Sequence, residues 1–268
     1  MVRRKLLLSV VVVGMISSAA FALAPLGPPA AGLDQGQYGA GIVYGFSDMT
    51  LELSGPLSSP GGHPGEAVIN DVQTNLYMVG LGYGISNDWS LYGGVGFANA
   101  EFPGDGSAAD FEGDDGFSFA IGTKRTLAES EDTKWGVVAQ LTQGKSEDNV
   151  RLASPAGTWG NGRISMPSGS SVSQTKLEWY EVQLAVGPTV PLSEDVCIYG
   201  GPFLHFAEAD LELKGNSRYE YEIEQKLQLG AYIGTLISLG DPNASLMAEL
   251  LYTGEGWGVG IGAMIRCP

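Results

Sequence analysis

Acidic residues that could bind a cation are concentrated in one stretch of the sequence. Between Glu101 and Asp115 there are six carboxylates and no basic residue, namely Glu101, Asp105, Asp110, Glu112, Asp114 and Asp115. Calcium takes oxygen ligands in such density, but the glycine and ligand spacing of an EF-hand is absent. A solvated acidic loop is therefore the simpler interpretation, and binding of divalent cations there is the alternative.

Histidines that could take part in catalysis are rare, since the sequence has only His63 and His205. A hydrolytic site needs a histidine paired with Asp, Glu or Ser, and His205 could pair with Glu208 or Asp210. The run Gly200-Gly201-Pro202 predicts a bulge nearby, which leaves open the face on which His205 lies. We therefore predict no catalytic residue, no resident metal and no cofactor, with an embedded hydrolase as the least favoured alternative.

Cysteine content and net charge argue against two further classes of protein. Cys197 and Cys267 are too few for a disulfide framework or a cysteine zinc site. They belong to segments that are not expected to be neighbours, so two separate thiols are predicted, and a disulfide is the alternative. The formal net charge of −16 argues against nucleic acid as a partner.

The first 22 residues have the layout of a secretory signal peptide. Basic residues from Arg3 to Lys5 precede an apolar run from Leu6 to Met15, and small residues follow. A proline directly after the scissile bond is poorly tolerated, so we predict cleavage after Ala22 rather than before Pro25. An uncleaved membrane anchor is the alternative. Residues 23–36, rich in proline and glycine, are expected to form an irregular lead-in to a single domain at residues 37–268.

Side-chain alternation is the main structural signal in that domain. Along residues 221–239, apolar residues such as Ile223, Leu229 and Ile233 occupy nearly every second position, and polar or small residues lie between them. Period-two alternation puts successive side chains on opposite sides of a β-strand. The segment is longer than the ~9–11 residues with which a tilted strand crosses a bilayer.

The same alternation recurs in ten segments, which predicts an all-β, antiparallel, up-and-down transmembrane barrel of about ten strands, with eight as the alternative. The segments begin near Tyr38, Tyr77, Trp89, Phe117, Trp135, Tyr180, Val196, Tyr221, Leu246 and Trp257. Short polar turns are predicted at 86–88, 128–133, 193–195 and 240–243, and long connections at 54–70, 103–114 and 147–175. Short turns at one end and mostly longer loops at the other are typical of membrane barrels, whose termini lie on the short-turn side. The connections at 214–218 and 254–256 are short and fit this pattern less well.

Aromatic residues at the strand ends indicate which face meets lipid. On the apolar face they form a predicted girdle of Tyr38, Tyr83, Trp89 and Trp135 at the short-turn side and Tyr180, Tyr252 and Trp257 at the other. Amphipathic rings on both sides of an aliphatic band are what a bilayer selects. The opposite face is rich in glycine, which indicates crowding inside a small closed barrel. A soluble barrel or sandwich, with the faces reversed, is the alternative.

This architecture, from Tyr38 to the C-terminus, resembles the small outer-membrane β-barrel proteins of bacteria, the OmpA-like and OmpX-like class taken broadly. No motif of a single family carries the resemblance. The last strand also ends Ile265-Arg266-Cys267-Pro268, whereas such barrels usually end in an aromatic residue. The resemblance implies a monomer integral to the bacterial outer membrane, with membrane lipid as its partner, long loops extracellular and termini periplasmic.

The predicted inward face carries charges of both signs. The expected lumen cluster is Lys124, Glu181, Glu222, Glu224, Lys226, Glu249 and Arg266. Such groups are costly inside a low-dielectric wall unless paired or hydrated, so we predict salt bridges and a narrow, largely plugged lumen. The expected role is structural, adhesive or surface-interactive. A small passive channel is the alternative, and it would favour cations because acidic groups outnumber basic ones.

Overall fold

The computed structural model describes residues 23–54, 67–103, 110–148, 152–153, 158–159, 164–165, 171–215, 218–241 and 243–267. The predicted signal peptide, His63 and Asp105 lie outside this part of the chain. No helix formed by the described residues is long and apolar enough to span a membrane.

Ten long strands follow one another around a closed barrel. They are β1 (Tyr38–Ser54), β2 (Ala67–Ser86), β3 (Trp89–Phe102), β4 (Asp114–Ser130), β5 (Thr133–Asp148), β6 (Ser171–Pro191), β7 (Val196–Gly215), β8 (Arg218–Ser238), β9 (Ala244–Thr253) and β10 (Gly256–Cys267). Each strand pairs antiparallel with the next, and β10 pairs with β1 to close the barrel. Two-residue strands extend the connections at Phe111–Glu112, Leu152–Ala153, Thr158–Trp159 and Ile164–Ser165. The predicted all-β, ten-stranded, antiparallel barrel is confirmed.

The number of strands in the wall changes with height, because the β9–β10 hairpin is short. It turns at Gly254 and Glu255, and the carbonyl of Glu255 accepts a hydrogen bond of 2.8 Å from the Thr50 amide. Above this turn β1 pairs directly with β8, where Glu52 is in register with Glu224. The barrel therefore has ten strands at the short-turn end and eight at the other. Since diameter grows with strand number, the ten-stranded part is the wider.

A register shift in β8 changes which residues of that strand face inward. His205 of β7 is paired with Gln228, but Ala207 is paired with Gln225, so β8 contains one extra residue. Below the shift Tyr232 is buried, and above it Ile223 is buried, although these residues have opposite parity. The prediction that Ile223 shares the lipid-facing side with Leu229 and Ile233 is therefore wrong, because β8 bulges between them.

The bulge that the sequence predicts at Gly200-Gly201-Pro202 does not change the register. The pairings of β7 with β6 keep one register on both sides of these residues, as do its pairings with β8. Consequently the alternation of inward and outward side chains continues unchanged along β7. His205, Leu211 and Leu213 all lie inside the barrel and are fully buried.

The outer surface of the ten-stranded part is apolar. Ile42, Leu81 and Leu229 are 60–70% exposed, and similar side chains surround them on every strand. From Tyr38 to Phe46, β1 covers about 26 Å at about 3.3 Å per residue, which suits the hydrocarbon layer. All seven residues of the predicted girdle are exposed on this surface: Tyr38, Tyr83, Trp89, Trp135, Tyr180, Tyr252 and Trp257. Neighbouring rings touch, as in the Tyr38–Tyr83 pair, whose centroids lie 5.0 Å apart.

Above this band the polarity of the two faces is reversed, with apolar side chains inside the barrel and charged side chains outside. The inside of the eight-stranded part is an apolar core that includes Met49, Leu51, Ile69, Val72, Phe102, Leu177, Trp179, Leu211, Leu213 and Ile223. The outside carries charged side chains such as Glu178, Glu208 and Asp210, which are exposed or half-buried. This is the arrangement of a water-soluble barrel. The strands therefore continue beyond the membrane and enclose an apolar core.

Candidate functional site

The wider, ten-stranded part of the barrel holds the segment that leads into β1. Residues 23–36, which we call the plug, run into the lumen from the short-turn end. At the rim, the Gly36 amide donates to the Gly84 carbonyl at 2.8 Å, and the Gln35 amide donates to Asn87 Oδ1 at 3.1 Å. Deeper in the lumen Ala30, Leu26 and Leu23 are buried. The predicted irregular lead-in is thus irregular but internal.

The sequence of the plug suits a buried, extended segment. It carries no charged side chain from Leu23 to Leu33, and prolines stand at positions 25, 28 and 29. Proline has no N–H group, so this stretch has few backbone donors that would be left unsatisfied away from water. Five of the remaining donors, the amides of Leu23, Ala24, Leu26, Gly27 and Ala31, interact with side chains of the inner wall.

Glu249 of β9 is the main anchor of the plug. Its Oε1 accepts a hydrogen bond from the Leu26 amide and its Oε2 one from the Gly27 amide, each at 2.8 Å. Gly27 has a φ of +66°, a left-handed conformation that favours glycine and turns the chain directly after these two amides. The Lys124 ammonium interacts with Glu249 and lies 5.3 Å from the centre of the Tyr92 ring. Glu249 therefore binds the plug through charge-assisted hydrogen bonds inside a dry wall.

Three other wall residues meet the backbone of the plug. Ser47 Oγ accepts from the Leu23 amide at 3.0 Å, and Thr126 Oγ1 accepts from the Ala31 amide at 3.2 Å. The Ala24 amide interacts with Glu181, which is buried. Glu181 Oε2 in turn lies 2.9 Å from His205 Nε2.

Glycines on the inner wall leave the space that the plug occupies. A Cβ on Gly260 would collide with the Pro25 ring, and a Cβ on Gly136 with the Ala30 backbone. A Cβ on Gly258 would lie 2.9 Å from Leu23 Cβ. Interior glycine weakens a strand, so a set of such residues needs a reason of this kind. The crowding that the sequence indicated comes partly from the plug and partly from large side chains of the wall, as where Tyr92 fills the space beside Gly122.

A cavity of about 440 Å³ remains beside the plug, toward the short-turn end. Lys124, Arg266 and Gln140 line it together with Met78 and Met247. Gln140 accepts a hydrogen bond from the Tyr92 hydroxyl at 2.8 Å and donates one to Gln183 at 3.2 Å. Polar side chains in this part of the lumen are thus linked across β3, β5 and β6.

The predicted lumen cluster is only partly assembled. Lys124, Glu181 and Glu249 lie inside the barrel, and Arg266 lines the cavity. The positions of Glu222 and Glu224 are instead in register with Asp210 and Glu208 of the outer wall, because β8 bulges below them. Their side chains and that of Lys226 lie outside the described part of the structure.

Backbone amides add to the charged partners that were predicted for the lumen carboxylates. Among the described side chains, the lysine and arginine ion pairs lie on the outer wall or at the turns, as between Lys134 and Glu129 at 2.9 Å. The buried carboxylate Glu181 is met by His205, and Glu249 is met by Lys124 and by backbone amides of the plug.

His205 faces the lumen, which the sequence left open. Its partner is Glu181, and the candidate partners Glu208 and Asp210 lie on the outside of β7. The ring packs edge-on against Phe203, with centroids 6.5 Å apart. Sequence reasoning missed the Glu181–His205 pair and the plug. One signal could have revealed the plug: an uncharged, proline-rich lead-in next to an inner face full of glycine.

The remaining sequence predictions concern cations and thiols. Glu101 and Glu112 are in register, but the described residues include no group of three or more His, Cys, Asp or Glu side chains able to hold a metal ion. Cys197 and Cys267 are free thiols. They lie at the short-turn ends of β7 and β10, with β8 and β9 between them.

Comparison with known proteins identifies the fold. No protein-family model matches the chain, and no curated protein matches it. Among solved structures, the outer membrane protease OmpT of Escherichia coli is similar with a TM-score of 0.50 and 13% identity, over 91% of this chain and 98% of that one. The chain has the fold of the small outer-membrane β-barrels.

Two further barrels are similar at lower scores. The attachment invasion locus protein Ail of Yersinia pestis gives a TM-score of 0.34 and 14% identity, over 87% of this chain and 99% of that one. The toluene transporter TodX of Pseudomonas putida gives a TM-score of 0.35 and 8% identity, over 93% of this chain and 99% of that one. Likenesses at this level carry no information about the role of this outer-membrane barrel.

Proposed function

We propose that this chain is an integral outer-membrane protein that acts through its outer surface beyond the bilayer, and that its lumen is closed. The exchange of faces along the strands carries the proposal. Above the lipid-facing band the wall continues with charged residues outside and an apolar core inside. A barrel that served only as a membrane anchor would not need this water-exposed, eight-stranded extension.

Closure of the lumen at two levels supports a surface role over a transport role. In the ten-stranded part the plug occupies the lumen, and in the eight-stranded part Leu177, Leu211 and Leu213 fill it with no exposed surface. A barrel of about eight strands has an interior just wide enough for side chains. A channel, even a small cation-leaning one, would require both parts to rearrange.

The chemistry of the extended wall indicates the kind of partner. Glu208 and Asp210 of β7 are in register with the positions of Glu224 and Glu222 of β8. Like charges directly opposite each other destabilise a sheet, so stability does not account for this pattern. A cationic partner at the cell surface fits it, either a basic protein region or divalent cations shared with lipid head groups.

The orientation follows from the same proposal. Long connections and the charged wall lie at one end, and short turns and both ends of the domain lie at the other. Outer-membrane barrels have short periplasmic turns and longer extracellular loops. The charged wall is then extracellular, and the plug enters from the periplasm.

A non-enzymatic role is part of the proposal. The side chains of His205 and Glu181 are 0% and 3% exposed, and the Ala24 amide of the plug interacts with Glu181. A general base must reach the proton it abstracts, and no substrate has access to this pair. Purified His205→Ala protein should therefore show the same hydrolysis of lipid A and peptides as wild type, namely none. Activity in wild type that disappears in the variant would overturn this part.

Conductance tests the closed lumen. In planar bilayers the folded protein should show small or no conductance, and any leak should favour cations. Deleting residues 23–36 should also produce no porin-sized openings, because the eight-stranded part stays filled. Large stable openings in the wild-type protein would favour the channel alternative.

Adhesion tests the surface role. Cells carrying the triple variant Glu208→Gln, Asp210→Asn, Glu220→Gln should adhere less to a polylysine-coated surface than cells with the wild-type protein. The matched control Glu129→Gln, Glu131→Gln, Asp132→Asn removes the same charge at a short turn and should leave adhesion unchanged. Equal adhesion of all three strains would contradict the proposed surface.

A further inference from the structure

The cavity of about 440 Å³ beside the plug is lined by apolar side chains from five strands, which we call the apolar belt. The belt consists of Cys197 of β7, Leu236 of β8, Met247 of β9, Val43 of β1 and Met78 of β2. These residues share one register across neighbouring strands, with Gly262 of β10 between Met247 and Val43. Pockets for small molecules have volumes of about 300–1,000 Å³ and mostly apolar walls. The belt is therefore a wall against which an apolar chain can pack.

Arg266 also lines this cavity, and its charge has no partner. Its Nε is buried and has no hydrogen-bond partner among the described atoms. Within the described part of the chain its guanidinium forms no ion pair. Asp34 lines the same cavity, but it is exposed at the rim and is not paired with Arg266. A charge that is partly removed from water is costly without a counter-ion, so this guanidinium is expected to bind an anion.

The buried carboxylates of the lumen already have partners of their own. Glu249 accepts a hydrogen bond from the Gly27 amide at 2.8 Å, and Lys124 Nζ lies beside the same glycine, 2.8 Å from where a Cβ would be. Glu181 lies 2.9 Å from His205 Nε2. Neither carboxylate is therefore left for the unpaired guanidinium, and a ligand is the remaining source of a negative charge.

The charge and the apolar belt lie at different depths. Arg266 follows Gly262 by four residues in β10, which corresponds to about 13 Å at about 3.3 Å per residue. Its amide donates a hydrogen bond of 2.7 Å to the carbonyl of Asn243, in the short turn between β8 and β9. Arg266 is therefore attached at the mouth of the cavity, at the short-turn end, and the belt lies deeper in the lumen.

We infer that the cavity binds a single-chain amphiphilic anion, whose head group pairs with Arg266 at the mouth and whose apolar chain lies along the belt. A guanidinium presents its donors in a planar fork that matches a carboxylate or a phosphate. The volume is near the lower end of the range for ligand pockets, which suits one chain rather than a membrane lipid with several. The ligand enters from the short-turn end, so its binding requires no open channel.

Cys197 can report occupancy, because it lines the cavity and is half-buried. Cys267→Ser protein, folded in lipid nanodiscs, reacts with a maleimide in the presence of octanoate, octyl phosphate, octanol or acetate. A ligand at about ten times its Kd leaves about one site in ten empty, so either amphiphilic anion should slow the reaction about tenfold. Octanol lacks the charge and acetate lacks the chain, so both should slow it far less. The more protective anion identifies the preferred head group, and protection by octanol equal to that by octanoate would overturn the inference.

Equilibrium dialysis against the same anions, with empty nanodiscs as the blank, measures affinity without relying on the thiol. Arg266→Gln removes hydrogen bonds to a charged group and should weaken binding about 10- to 150-fold. Arg125→Gln is the matched control, because Arg125 is an exposed arginine at a short turn, 3.8 Å from Asp88, and should leave the affinity unchanged. Heat-modifiable migration checks that each variant is folded. Absence of binding by the wild-type protein, or equal affinity in folded Arg266→Gln, would overturn the inference.

Discussion

Replacing Glu249 by glutamine tests whether this one residue holds the plug in the lumen. The carboxylate accepts two hydrogen bonds, from the Leu26 and Gly27 amides, and each is 2.8 Å long. Glutamine has nearly the same shape but only one acceptor oxygen, so one amide would face an NH₂ group. A hydrogen bond to a charged group contributes about 1.5–3 kcal/mol. We expect seating of the plug to weaken by about 2–3 kcal/mol.

Thiol labelling can measure that change. Leu26→Cys in a Cys197→Ser, Cys267→Ser background places the sole thiol at the buried anchor, where it reacts only when the plug opens. A loss of about 2–3 kcal/mol raises the open fraction about 30- to 150-fold, and the labelling rate should rise with it. Glu194→Gln in the exposed turn between β6 and β7 is the control and should leave the rate unchanged. An unchanged rate in Glu249→Gln would refute the role of Glu249 as anchor.

Three further predictions concern the wall, the upper core and the thiols. In the same Leu26→Cys background, Gly260→Ala should also speed labelling of the introduced thiol, because the new Cβ would collide with Pro25. Gly32→Ala is the control and should leave the rate unchanged, because the space around Gly32 is open. Equal labelling rates in the two variants would contradict this packing. Leu211→Ala, fully buried in the eight-stranded part, should destabilise the fold by about 2–5 kcal/mol and lower the temperature at which heat-modifiable migration is lost. Lipid-facing Leu229→Ala is its control, and an equal loss in both would argue against a dry upper core. Alkylation without reductant should modify both Cys197 and Cys267, and a protein that gains no alkyl group until reduced would show a disulfide instead.

The β-strands and the lipid-facing band could be predicted from the sequence. Alternation is a local property, because each residue's face follows from that of its neighbour, and rings such as Tyr38 and Trp257 mark where the band ends. The strand order could also be predicted, because the short connections indicate a meander. A meander pairs each strand with the next, so no long-range information is needed.

Other features depended on contacts between distant parts of the chain. The extra residue in β8 is defined only by its pairing with β7, so the facing of Glu222 and Glu224 could not be read from β8 alone. The barrel narrows from ten strands to eight because β1 pairs directly with β8 beyond the β9–β10 hairpin. This pairing depends on where along the barrel axis the hairpin turns at Gly254 and Glu255, which the sequence of the hairpin alone does not show.

The plug shows most clearly what only the tertiary structure decided. Its composition indicated irregular chain, and the glycines of the wall indicated crowding, but neither pattern placed one inside the other. Leu26 and Glu249 are 223 residues apart in sequence and become neighbours only when the barrel closes around the plug. Sequence periodicity determines which face of a strand is apolar. What fills the enclosed space is determined by closure, because only then are the buried carboxylates left without water and in need of backbone donors.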